Sequence, residues 1–207
     1  MTTFDDDTNY ISPIFSDLMA IANKGELGEA IYALVSKFSH IDLHILGSAL
    51  QYEISVLPMP YREHVEPYLT EELLGRYYRI LSMHSDGSFE KMGQGIRDRK
   101  LFEAFCQMAI SFGTEAHGSD EGSLQYAQLG GLSYFLLHCF VLFVLEEPCH
   151  PVGMPFSDGF TVKRMGNEFY CPVRDREKDT ELALCNFCPA KHAELSGHTS
   201  PAHDYTN

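Results

Sequence analysis

The chain has 207 residues, 44% of them hydrophobic and 21% charged, which excludes a mainly disordered polymer and leaves enough apolar mass for one ordinary core. Lys and Arg number 15 against 29 Asp and Glu, a net charge of −14. That balance argues against a nucleic-acid binder and against adhesion to an anionic membrane, because both draw their affinity from cations.

The acidity is uneven. No Lys or Arg occurs from Phe38 to Tyr61, nor from Leu101 to Phe160. Two readings of these segments stand open: core elements with little solvent face, or an acidic groove that meets a basic partner or a cation.

Taken in order, the opening through Asn9 is expected to fray. Ile14, Phe15, Leu18 and Met19 form a first amphipathic stripe, which Gly25 is expected to break. Leu27, Ile31, Leu34, Val35 and Phe38 form a second. Ser39 followed by Asp42 reads as a helix start before Ile45, Leu46, Ala49 and Ile54. Pro58-Met-Pro60 punctuates. Thr70 with Glu71 and Glu72 reads as an N-cap and first-turn acids before Leu73, Leu74, Tyr77, Tyr78 and Leu81.

A turn is expected at 84–88, a helix at about 96–112 and a loop at 113–122. A long central helix is then expected from about Ser123 to Glu147, stopped by Pro148. Its run LGGLSYFLLHCFVLFVL is short for a bilayer span and ends in two acids, so a buried core helix is the expectation. No alternating strand pattern precedes Glu147. After it come three prolines and two glycines in twelve residues, then two strand-like runs, Phe160-Thr-Val-Lys-Arg and Glu168-Phe-Tyr-Cys171, around the turn Met165-Gly-Asn167. The fold class is therefore mainly α: a multi-helix bundle over 1–147, a small Cys-rich hairpin and knuckle over 148–191, and a disordered tail over 192–207, whose His198 and His203 have no expected role.

The cysteines carry the chemistry. The opening lacks a secretory signal, so a reducing cytoplasmic setting is expected, where clustered cysteines bind metal or do redox work. Cys106 and Cys139 lie in apolar helical runs and read as small hydrophobes. Cys185-x-x-Cys188 offers two thiolates from one knuckle, and Cys171 follows a hairpin strand. The fourth ligand is Cys149 or His150, giving a Cys₄ or a Cys₃His site. Structural zinc, an iron–sulfur cluster and a metal-free Cys185–Cys188 dithiol are the competing outcomes.

Weaker groupings accompany these. His40 and His44 share a helical face. His138 is a candidate acid–base partner of Glu103. Glu146 and Glu147 sit unfavourably at a helix C-terminus, which points to compensation by Arg174, Arg176 or a cation. No phosphate loop, dinucleotide fingerprint, nucleophile elbow or kinase signature is present.

His150-Pro-Val-Gly-Met-Pro-Phe, Tyr170-Cys-Pro-Val-Arg-Asp and Cys185-x-Phe-Cys188-x-Ala-Lys resemble an uncharacterised family from methanogenic archaea, domain of unknown function 2115. The resemblance is specific over 148–191. Ser157-Asp158-Gly159 departs from it, standing where the family has a Pro-Gly-Gly-like turn. It implies an archaeal, cytoplasmic, anaerobic setting, with His150, Cys171, Cys185 and Cys188 as the shared group, and it implies no activity. Three functions follow as expectations. The first is a zinc-stapled helical protein that acts through a protein partner. The second is a metalloenzyme or iron–sulfur redox protein built on Cys149, His150, Cys171, Cys185 and Cys188. The third is a small-molecule binder using a pocket among Glu103, Tyr134 and His138.

Overall fold

The computed structural model describes residues 9–115, 121–156, 159–176, 180 and 183–193. The acidic opening through residue 8, the tail from 194 with His198 and His203, and Ser157-Asp158 of the departing turn lie outside them.

The chain is mainly α. Helices α1 (Ile11–Met19), α2 (Lys24–Val35), α3 (His40–Ser55), α4 (Tyr61–Thr70), α5 (Arg76–Ser85), α6 (Arg99–Glu115) and α7 (Glu121–Cys139) build the bundle. Strands β1 (Lys163–Met165), β2 (Glu168–Cys171) and β3 (Lys191–His192) form a small sheet in that order.

The start of α3 follows from side-chain chemistry. Ser39 accepts from the Asp42 N–H while the Asp42 carboxylate accepts from the Ser39 N–H at 2.8 Å, a reciprocal capping box. Gly25 breaks nothing. It lies in the first turn of α2, where Asn23 is the N-cap and accepts from the Glu26 N–H at 2.8 Å. Its Cβ-free face lies against the carbonyls of Phe89 and Met92, so a side chain would not fit there.

Thr70 caps no helix. Its backbone is helical, and α4 runs through a π turn at Glu71–Gly75 into α5. The extra residue of a π turn shifts the register of the side chains that follow, a device common at functional sites. The central helix also ends in a π segment, Phe140–Leu145, and stops at Glu146, whose φ is +57°. It is long and apolar enough to cross a membrane, but most of it is buried inside the fold. Apolarity here belongs to a core helix.

The core is aromatic. Phe105 of α6 meets Phe15, Phe135, Phe143 and Phe187 edge-on, with ring centroids 5.3–6.2 Å apart. Phe187 belongs to the Cys-rich segment. The same apolar cluster takes in Cys149, Met154, Val162, Cys171 and Leu184, so this segment packs on the helices directly.

The hairpin turns at Gly166 (φ +62°) and Asn167, with Met165 opposite Glu168. Regular pairing begins only at Lys163. Thr161 instead bridges back to Pro155, and β3 adds to β2 in parallel.

Candidate functional site

A cleft of about 460 Å³ opens between α3, the π turn, α7 and the Cys-rich segment. Leu46, Leu50, Leu69, Leu73 and Leu137 form its apolar wall. Glu72, Tyr134, His138, Cys149, His150 and Cys185 form its polar floor.

The floor is organised by Arg76, which is buried at the start of α5. His138 Nδ1 lies 2.7 Å from the Tyr134 carbonyl, which can only accept, so Nδ1 carries the proton. His138 Nε2 is then an acceptor, and Arg76 Nη1 donates to it at 2.9 Å. Arg76 Nη2 donates to the Cys149 carbonyl. Burial, then the Arg76 charge, push His138 well below its ordinary value, so it is neutral.

Glu72 faces this guanidinium, with Oε1 3.8 Å from Nη2. That oxygen is buried and accepts no hydrogen bond among the described residues. Burial raises the carboxyl to about 7, outweighing the opposing pull of Arg76.

The cysteine segment reaches the floor in two pairs. Cys149 donates its backbone N–H to Cys188, with N to Sγ 3.5 Å, and its thiol faces both the Cys188 sulfur and the Leu184 carbonyl, 3.7 Å from the latter. The Cys149 thiol, the largest influence on it, lowers Cys188 to about 6, while Cys149 is raised. Cys171 Sγ lies 4.0 Å from His150 Nδ1. Burial first, then Arg76, lowers His150 to about 4. Cys185 lines the cleft beside Cys149. Among the described residues, no three His, Cys, Asp or Glu side chains are gathered as they stand to hold an ion.

The segment from His150 to Phe156 is fixed by α4. The Tyr61 hydroxyl donates to the Pro155 carbonyl at 3.3 Å, and His150 packs edge-on against Phe156. Gly153 has φ +92°, and the Tyr68 hydroxyl would stand 2.9 Å from a Cβ there. Only glycine suits both demands.

Other expected residues are elsewhere. Glu103 does not meet His138: it pairs with Arg99 at 2.8 Å on the surface of α6. Glu146 pairs with Lys24 at 2.9 Å, and Glu147 takes a two-pronged contact from Arg79 at 2.6 and 2.9 Å. These cations, not Arg174 or Arg176, offset the acids at the helix end. His40 and His44 are exposed on α3. Cys106 and Cys139 are buried in the core, as expected; burial, the largest influence on each, raises Cys106 to about 12 and raises Cys139 as well.

Sequence reasoning missed Arg76 and the role of Glu72. Their signal was an i,i+4 acid–base pair set among Leu73, Leu74 and Tyr77.

Comparison with known proteins matches the model of a family described as uncharacterized proteins conserved in archaea, DUF2115, over residues 23–193. The chain belongs to this archaeal family. The match spans the helices from α2 onward together with the whole Cys-rich segment. Two UPF0305 proteins of Methanothermobacter thermautotrophicus are 57% and 43% identical over 53 residues. Each stretch covers 26% of this chain and about a third of the relative, 32% and 34%. A UPF0305 protein of Methanocaldococcus jannaschii is 24% identical over 166 residues, 80% of this chain and 94% of its own length. No solved structure matches the chain.

Proposed function

We propose that this chain is a metal-binding protein whose centre forms where the Cys149–Cys188 and Cys171–His150 pairs meet the cleft, with Cys185 beside them. One observation carries the reading. Donors from three separate stretches of sequence are brought to one side of the fold as two contacting pairs. A thiolate-rich set with one imidazole suits zinc, and an ion would have to draw the pairs together and displace the thiol protons. Cys149, His150 and Cys185 also line the cleft, which favours a centre that a small molecule can approach over one sealed within the knuckle.

Metal analysis with an optical spectrum, on protein purified without oxygen, tests the reading. About one zinc per chain is expected, with no visible absorbance. Cys188→Ser is expected to lower the occupancy sharply, and Cys139→Ser, in the core, to leave it unchanged. Iron with sulfide would replace zinc by a cluster and favour redox chemistry. Protein that holds neither overturns the proposal.

A further inference from the structure

The cleft has a second property that does not depend on the cysteines. Its wall is aliphatic, and its walls and floor come largely from the two stretches that lack Lys and Arg, 38–61 and 101–160. Glu72 lies in the floor and Glu53 also lines the cleft, while among its described lining residues none is Lys or Arg. Arg76 lies outside the lining, and its terminal nitrogens donate to His138 and to the Cys149 carbonyl. The proton of His138 is likewise given to the Tyr134 carbonyl. An anionic head group would therefore enter a low-dielectric site lined by two carboxyl groups, with the His138 proton committed and the Arg76 charge already facing Glu72 at 3.8 Å. A cationic head group would meet a carboxyl group whose Oε1 accepts no hydrogen bond among the described residues.

We propose that the cleft is a binding site for a primary aliphatic amine, with the ammonium on Glu72 and the hydrocarbon along Leu46, Leu50, Leu69 and Leu73. A volume of about 460 Å³ falls within the range of small-molecule sites and holds a chain of several carbons. The aliphatic wall supplies affinity, and the carboxylate supplies the choice of head group. A buried polar group rejects a ligand that fails to pair with it far more strongly than an apolar wall rejects a change of length.

Calorimetric titration of the full chain at pH 8 with n-hexylamine, 1-hexanol and hexanoate tests this, with metal content measured on the same samples. The amine is expected to bind at least about tenfold more tightly than the alcohol, and hexanoate not to bind. Glu72→Gln is expected to abolish the preference for amine over alcohol while circular dichroism shows an intact fold. Leu50→Gln is expected to weaken amine and alcohol equally. Hexanoate binding as well as hexylamine, a preference unchanged in Glu72→Gln, or no binding by any of the three overturns the proposal. Should Glu72→Gln fail to fold, the three ligands on the unaltered chain and Leu50→Gln still decide it. An amine preference in metal-free protein would sink the metal reading and leave this one standing. Zinc-loaded protein indifferent to the head group would do the reverse.

Discussion

Helix α7 serves two neighbourhoods that differ in kind. Phe135 sends its ring edge-on to three apolar partners, Phe15, Phe105 and Phe112. One residue earlier, Tyr134 lines the cleft, and four residues on from Tyr134 so does His138, against a buried guanidinium and a carboxyl held near neutrality. The aromatic side gains from burial and asks nothing further. On the cleft side burial has a cost, because Glu72 and Arg76 leave water without full pairing. The same fold can hold both only if the first region outweighs the second.

Emptying the aromatic centre should therefore have the largest effect. Phe105 is fully buried and touches four other rings. Phe105→Ala is expected to lower stability by about 4 kcal/mol, read from the urea midpoint at unchanged slope. Because Phe187 is one of the four, the loss should also release the Cys-rich segment, seen as faster alkylation of Cys185 and Cys188. A loss under about 1 kcal/mol would mean that the aromatic cluster is not what carries the cleft.

The cleft side should show itself through pH. Glu72 has a folded value of about 7 against an ordinary 4.5, and its side chain is one-fifth exposed. The unfolded chain therefore gives up this proton first. The contribution of Glu72 to stability is full below about 4.5, declines as pH rises towards 7, and is flat above. The decline is on the order of 3 kcal/mol. Measured as the difference between the unaltered chain and Glu72→Gln across that window, it should appear as a falling curve. A difference that is flat or rises with pH would place the carboxyl in a paired, ionised state and bring the two sides of α7 closer in kind.

Legibility in the sequence follows the same division. Where the cause of a structure is local, the residues announce it. Ser39 and Asp42 predict their capping box, Gly166-Asn167 predicts the hairpin turn, and the apolar run into Leu145 predicts a buried helix. Where the cause is tertiary, local reading fails. Thr70 followed by two acids has the pattern of a helix start, yet its backbone is helical and the chain continues through it by way of a π turn. Glu103 and His138 are compatible in type, but α6 turns Glu103 to the surface and Arg76 reaches His138 from another helix. Cysteine spacing pointed to one group of candidates. That Cys149 pairs with Cys188 and Cys171 with His150 depends on how the segment lies against α4, which spacing does not encode.

The junction of the two regions offers the smallest effect and a sharp one. The central helix ends at Glu146 in the left-handed conformation, at φ +57°, where a side chain costs about 1–2 kcal/mol relative to glycine. Glu146 pairs with Lys24 at 2.9 Å, an interaction of well under 1 kcal/mol for a partly exposed pair. Glu146→Gly removes both the strain and the pair, and it loosens the unfolded chain by some tenths of a kcal/mol. Its stability is therefore expected within about 0.5 kcal/mol of the unaltered chain. Glu146→Ala keeps the strain and loses the pair, so it should fall below Glu146→Gly by about 1 kcal/mol. Equal values for the two variants would mean that the helix can end there in another conformation, and that the direction of Pro148 and Cys149 into the cleft is not set by this residue.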